Sequence, residues 1–577
     1  MAMSLDQEYL SVDDSKQLKF SSRRSVVHSK HGIVSCTQPL AAAAGLKILE
    51  QGGNAVDAAV ATAAALAFFE PAMTSPGGDA FALFHDAKTN TLKGMNGSGR
   101  AAKAVSLEAL AARGVSGRPK LAPNSVHCVT VPGGPAAWCD SIAEWGSGKV
   151  TIADVLKPAI SYAENGAPIS EISASLWYRG QNILKAGSDN AKDLFKADGT
   201  TPQTGDIWKN QYFADTLKLI AEKGKPGFYE GVVAERIVKA VQDKGGFLEL
   251  SDLKEHTTSF VEPISLDFMG HTLWECPPGG QGLLALLALG TVRELLAAGT
   301  IPPVEQWKHN SPEYLHVVIE TLKMAFRDGE YYVADPEKVD VPVAAMLTPE
   351  YLQSRAALFD AAKANPVYAP GVPKTANQSD TVYLSVTDSE GNACSFINSC
   401  AGMFGTGIVP DQSGWVLQNR GVNFSLLPGM LNTIEGGKRP YHTIIPAMIT
   451  KDDAIYAAFG VMGGFMQPQG HLQVFLNHVV FGLDPQKALD SPRICITPGP
   501  IVDGQTLTDV NVEASMAPET IEGLKKLGHV IKVQKPYDPL FGRGQFIRLT
   551  KQESGEVLHS AGSDPRGDGA AYPFVKY

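Results

Sequence analysis

The sequence predicts an α/β (α+β) protein. Short segments that alternate apolar and polar residues, the period of a strand, are interleaved with longer segments of helical period. No unit of about 20–50 residues repeats, which excludes solenoids and propellers. The chain has 577 residues, 44% of them hydrophobic, so several domains and a large core are possible. A formal net charge of -10 speaks against nucleic acid or an anionic membrane as the partner.

Residues 1–31 are polar and predict a loosely ordered tail. Gly32 to Cys36 reads as a short strand, followed by a helix from Leu40 to Gln51 that Gly52-Gly53 ends. Asn54 then caps an Ala-rich helix reaching Phe69. A phosphate cradle would need a Walker lysine or GxGxxG spacing here, and neither is present. Ala80 to His85 is a strand, and Arg100 follows the turn Asn96-Gly97-Ser98-Gly99. From about 140 to 256 the pattern is amphipathic helix, as in Tyr212 to Lys223 and Val233 to Lys244, with no cluster of catalytic residues. Trp274 to Gly282 predicts a tight loop leading into a helix from Leu283 to Leu296. A helix from Glu313 to Arg327 carries Glu320 and Lys323 three residues apart, which reads as a surface pair. Asp360 to Asp380 has no periodicity, and a chain can be cut in such a segment and its new end moved away.

Thr381 follows at once. Val382, Leu384 and Val386 alternate with Thr381, Tyr383, Ser385 and Thr387, so Thr381 opens a strand expected to be buried on one side. Asp388 to Asn392 supplies turn residues, and Ala393 to Asn398 returns as the second strand of a hairpin. If the chain were cut before Thr381, its hydroxyl would lie beside its own α-amine, a nucleophile and base in one residue. Threonine is common in strands, so this stretch alone is weak evidence. Further on, Trp415 to Gln418 reads as strand, Asn419 to Phe424 as a polar loop, and Gly436 to Pro440 as a turn into His442-Thr443. Ala454 to Phe459 is a strand running into Gly463-Gly464, a helix starts near Gln467, and Asp484-Pro485 caps the next. A helix from Pro518 to Leu527 and strands at Val530 to Val533 and Gln545 to Thr550 complete the chain.

Several classes are disfavoured. The longest apolar run, Ala58 to Phe69, is too short to span a bilayer, and the first thirty residues lack the apolar stretch of a secretory signal. Seven scattered cysteines without CxxC read as reduced, buried thiols, and a cytoplasmic setting is expected. There is no GxSxG, HExxH or Walker A, and the 13 histidines show no ligand spacing, so no metal and no cofactor are expected.

Eight motifs fall in one order along the chain: GGNAVDAAVA (Gly52 to Ala61), Gly77-Gly78-Asp79, Arg100, VPGGPAAW (Val131 to Trp138), Asp380-Thr381, FGTG (Phe404 to Gly407), Gly463-Gly464 and DPRGDG (Asp564 to Gly569). Together they resemble the γ-glutamyltransferase (glutathione hydrolase) family of N-terminal-nucleophile hydrolases. The resemblance implies a four-layer αββα sandwich. It also implies a proenzyme cut between Asp380 and Thr381 into a large segment, 32–380 behind the tail 1–31, and a small segment, 381–577, that share one domain. Thr381 would be the nucleophile and, through its freed α-amine, the base. Gly463 and Gly464 would form the oxyanion hole, although a plain tight turn would also place two glycines there. Ser399 stands where family members usually carry a threonine that contacts the nucleophile, and Arg100 matches the arginine that holds the substrate's α-carboxylate.

The departures bear on substrate. The family usually has Asp where Asn423 stands, Asn and Gln where Ala401 and Arg420 stand, and a Ser pair where His442-Thr443 stands. Losing that carboxylate removes the complement to an ammonium, and Arg420 adds a cation. The expected activity is a self-cleaving amide hydrolase or acyl transferase on γ-glutamyl compounds such as glutathione. The alternative is an amidase like cephalosporin acylases or oxamate amidohydrolases, acting on amides that bear a carboxylate. A processed but non-catalytic binding relative is a third reading, against which the intact Thr381, Ser399, Gly463 and Gly464 count. The expected partners are a small amide substrate and the two segments of the precursor; hydrolysis against transpeptidation, and oligomeric state, stay open.

Overall fold

The strand bearing Thr381 is covered on both faces. In the computed structural model, which describes residues 22, 24–366, 368, 379–502, 505–535 and 538–576, Ser379–Thr387 pairs antiparallel with Ala393–Gly402 and with Ile33–Cys36. Every residue from Thr381 to Asp388 is buried. Tyr383 packs on Gly460 of another sheet, where a Cβ would stand only 2.5 Å from its ring. Alternation turns Val382, Leu384 and Val386 the other way, toward the helix Ala55–Phe69. The expectation of one buried face fails because a second sheet covers the hydroxyl side. Its polar groups are satisfied internally: Tyr383 Oη lies 2.7 Å from both Ser385 and Ser395 Oγ.

Two seven-stranded sheets are stacked this way. One runs Ala570–Pro573, Ile33–Cys36, Ser379–Thr387, Ala393–Gly402, Asp79–Asp86, Thr91–Gly97, Ser259–Val261. The other runs Val27–Ser29, Val557–Ser563, Arg543–Lys551, Ala454–Met462, Ala447–Lys451, His271–Glu275, Ile264–Phe268. Helices Pro39–Glu50 and Ala55–Phe69 lie over the first; Gly282–Ala297 and Met466–Val479 lie over the second, with Pro312–Tyr332 packed against both of these helices. This is the four-layer αββα arrangement. A smaller sheet of Ile494–Val502, Gln505–Glu513 and Val530–Gln534 stands beside it, its last pair parallel.

Local signals hold where they are strong. Asn54 Oδ1 accepts from the N–H groups of Val56 (3.0 Å) and Asp57 (3.1 Å), and Asp57 Oδ2 accepts from Asn54 N (3.0 Å). These donors are spent on the cap, so the turn is no phosphate cradle. All fifteen residues of this helix are buried, which only an alanine-rich sequence permits against a sheet on one side and helices on the other. Asp484 and Pro485 cap the helix Pro485–Asp490 as expected.

Elsewhere tertiary context wins. Val27–Ser29, inside the expected tail, is a strand paired with Val557–Ser563. Asn96-Gly97 ends the strand Thr91–Gly97, and Trp274 and Glu275 belong to His271–Glu275, so the loop ahead of Gly282–Ala297 begins at Cys276. Trp415 to Gln418 is not a strand; Leu417 makes a single bridge, to Gly77. Residues 367 and 369–378 of the aperiodic Asp360 to Asp380 stretch lie outside the described residues.

Glu320 and Lys323 are buried rather than a surface pair. Their helix is packed on all sides from Tyr314 to Gly329. Lys323 Nζ lies 2.7 Å from Glu320 Oε1, while Tyr368 Oη (2.6 Å) and Asn365 N (3.1 Å) donate to Oε2. Folding also gathers His316, Glu320 and His529, which no spacing in the sequence foretold. Lys323 already holds the carboxylate oxygen a cation would use, and His316 Nδ1 lies 2.8 Å from His529 Nε2. The group is a hydrogen-bonded charge cluster.

Candidate active site

Thr381 sits at a bulge. Asp380 pairs with Ala401 and Val382 with Asn398, so Ser399 and Cys400 together face Thr381 across the ladder. The bulge brings the two hydroxyls together: Thr381 Oγ1 donates to Ser399 Oγ at 3.3 Å. Ser399 Oγ also accepts from Ala401 N (2.9 Å) and from Arg420 Nη2 (2.9 Å). Arg420 Nη1 donates to Thr443 Oγ1 at 2.6 Å. The arginine is fully buried beneath Thr381, and both of its terminal nitrogens donate to hydroxyls. Its charge favours negative character on Ser399 and, through it, on Thr381.

Asp79 compensates that charge. It lies 4.0 Å from Arg420 Nε, and its Oδ1 accepts from Gly99 N (2.9 Å) and Gln418 Nε2 (2.9 Å). His442 Nε2 donates to Oδ2 at 2.9 Å, and Ile444 N donates to His442 Nδ1 at 3.3 Å, which fixes the neutral tautomer. Burial opposes ionisation of Asp79, but the His442 bond, the Arg420 charge and the Gln418 bond outweigh it and hold the carboxyl below its ordinary value. Burial, with Arg420 nearby, pushes His442 down to about 4. Burial lowers Arg420 to about 10, still charged at neutral pH.

This yields a pH prediction. Between about 6.5 and 4 the unfolded chain binds a proton at His442 that the folded chain refuses, so stability falls as pH is lowered through that window. His442→Gln, which keeps a donor to Asp79, should flatten the acid side of the stability curve by up to ~1.4 kcal/mol per pH unit. Chemical denaturation at pH 7, 6, 5 and 4 measures it; parallel curves would show that His442 is protonated in the fold.

The second sheet supplies Gly463 and Gly464, just past the strand Ala454–Met462. Both adopt positive φ, +135° and +60°, and a Cβ on Gly463 would stand 3.0 Å from Gly542 Cα. Among the described residues neither N–H has a hydrogen-bond partner, while Gln281 Nε2 pins the Gly464 carbonyl at 2.7 Å. Unspent donors on a fixed loop are what an oxyanion hole requires.

Beside Gly463 lies a cavity of about 670 Å³, whose wall includes Ala401, Asn419, Arg420, Asn423 and Met462. Asn423 Nδ2 donates to the Tyr441 carbonyl at 3.0 Å. His442 and Thr443, expected in the substrate pocket, are fully buried supports of Asp79 and Arg420. Arg100 does not join the group: its Nη2 lies 2.6 Å from Glu337 Oε2 and its Nη1 donates to the Thr257 carbonyl, away from the cavity wall. Sequence reasoning gave Asp79 and Gln418 no role. Asp79 stands in the Gly77-Gly78-Asp79 motif, the one signal that could have found it.

The family model described as "Gamma-glutamyltranspeptidase" matches residues 41–574. The glutathione hydrolase-like YwrD proenzyme of Bacillus subtilis (strain 168) is 36% identical, over 95% of this chain and 99% of that protein. The oxamate amidohydrolase proenzyme of Klebsiella pneumoniae is 32% identical, over 94% of this chain and 98% of its own. Among solved structures, cephalosporin acylase from Bacillus halodurans superposes with a TM-score of 0.86 at 40% identity, covering 98% of this chain and all of that one. The αββα sandwich, the bulged threonine strand and a family match that spans almost the whole sequence agree: this chain belongs to the gamma-glutamyltranspeptidase family of N-terminal-nucleophile hydrolases and transferases.

Proposed function

We propose that the chain cuts itself between Asp380 and Thr381 and then hydrolyses amides whose acyl group carries a carboxylate and no ammonium. Thr381 Oγ attacks the Asp380 carbonyl carbon; the C–N bond breaks, the acyl group moves to oxygen as an ester, and the freed nitrogen becomes the α-amine. Water hydrolyses the ester. The same oxygen then attacks the substrate amide while the α-amine takes its proton and passes it to the leaving amine. The Gly463 and Gly464 N–H groups receive the oxyanion, and water releases the acyl group as an acid. The two segments are interleaved within one sheet: Ser379–Thr387 and Ala570–Pro573 both pair with Ile33–Cys36, so the cut chains stay together.

The cavity wall carries the substrate reading. Where the family places a carboxylate for the donor's ammonium, this wall has Asn423, neutral and bonded to a carbonyl. The wall's charged side chains are Lys323, Arg420, Lys532 and Arg543 against Asp509 alone. Such a surface complements an anion. An oxamate amidohydrolase is among the similar proteins, and oxamate is an amide of this class.

Matched γ-glutamyl and glutaryl anilides test it, since they differ only in the ammonium. The glutaryl compound should have the higher kcat/KM. Asn423→Asp should shift the ratio toward γ-glutamyl by roughly ten- to a hundredfold. A tenfold γ-glutamyl preference in the unmodified enzyme would mean that another group receives the ammonium.

A further inference from the structure

Arg543 is the wall cation whose two terminal nitrogens make no hydrogen bond to oxygen among the described residues. It opens the strand Arg543–Lys551 opposite Met462, one residue before Gly463, and lines the same cavity as Gly463 and Asn423. Only 3% of it is exposed. Yet Nη2 meets only the thioether of Met73, at 3.7 Å, and Nη1 is buried without a hydrogen bond. Glu70 Oε1, 3.9 Å from Nη1, is too far to accept one; its carboxylate, which accepts from Thr37, balances the charge and leaves the donors unspent.

The other cations are engaged. Lys323 is bound to Glu320 and Asn365, Lys532 to Asp509, and Arg420 to Ser399 and Thr443. Arg100 is bound to Glu337 off the wall. Arg566, by contrast, reaches both Asp564 and Glu513. Leaving guanidinium donors unpaired in a buried site is costly unless a ligand takes them up. The position is also rigid. Gly542 has a φ of +70°, and a Cβ there would stand 2.2 Å from the Met462 carbonyl, so the backbone leading into Arg543 is held against the oxyanion loop.

We propose that Arg543 anchors the distal carboxylate of the acyl group through its guanidinium. The ligand class is the monoamides of short dicarboxylic acids. The anchor and the Gly463 loop are adjacent on neighbouring strands, so seating the carboxylate positions the amide carbonyl between Thr381 and the oxyanion donors. This rests on the functional reading above and names the residue that the reading needs.

The test compares glutaryl and pentanoyl anilides, the same acyl chain with and without its carboxylate, after the cut at Thr381 has been verified. In Arg543→Gln the glutaryl-to-pentanoyl ratio of kcat/KM should fall ~100-fold, chiefly through a raised KM for the glutaryl compound. Arg543→Lys keeps the charge but loses the fork, and should fall ~10-fold; it decides the matter if the Gln variant fails to mature. An unchanged ratio, or equal losses on both compounds, would make Arg543 structural and leave the functional reading standing. If the unmodified enzyme hydrolyses γ-glutamyl but not glutaryl anilide, both inferences fall together.

Discussion

Thr381→Ala should give a single 61.4 kDa chain that never matures and hydrolyses no amide. In the proposed mechanism both reactions use the same oxygen. Ser399 Oγ, hydrogen-bonded to Thr381, already accepts from Thr381, Ala401 and Arg420, and we propose that it aligns Thr381. Loss of a nucleophile of this kind costs on the order of 10⁴- to 10⁶-fold in kcat. Thr381→Ser should still cut, more slowly, because it keeps the oxygen but loses the methyl that restricts χ1. Fragment masses and anilide hydrolysis measure both variants. Full hydrolysis by the alanine variant would place the nucleophile elsewhere.

Arg420→Met should slow maturation as well, by another route and to a smaller extent. The substitution leaves Asp79 ionised at the centre of the protein with its nearest cation gone, and breaking a fully buried pair typically costs ~3–5 kcal/mol. It also strips Ser399 of a charged donor. Maturation should slow by two orders of magnitude or more, roughly the effect of ~3 kcal/mol on a barrier. A double variant with Asp79→Asn separates the two roles: stability should largely return, because no charge is left unpaired, while the cutting rate should not. Recovery of both would reduce Arg420 to a structural partner of Asp79. Arg420→Gln, the residue usual in the family, keeps a donor to Ser399 and should fall between.

The difference between what could and could not be read in the sequence follows from the range of the forces involved. The Asn54 cap, the alanine helix and the hairpin after Thr381 are local, since a cap needs three residues and a strand needs alternation. The motif order carried the family and with it the sandwich. One-sided burial of the Thr381 strand was a fair inference from its hydroxyls, but these face a second sheet built from residues up to Ser563. Glu320 and Lys323 have the spacing of a solvent pair and become a buried one because neighbouring helices, Tyr368 and Asn365 pack around them. Arg100 and Arg543 show the same limit from opposite sides. The first stands at the family's position but is occupied by Glu337, a partner 237 residues away in sequence. The second carries no motif and gains its meaning only from facing Met462 across a ladder. His442 departs from the family pattern, and its place in the site appears only through its bond to Asp79.

N-terminal sequencing of the purified protein tests the central claim most directly. The account predicts two associated chains of about 40 and about 21 kDa, by residue share of 61.4 kDa, the smaller beginning Thr-Val-Tyr-Leu-Ser at Thr381. A homogeneous uncut chain that hydrolyses amides, or a small chain beginning at any other residue, would contradict it.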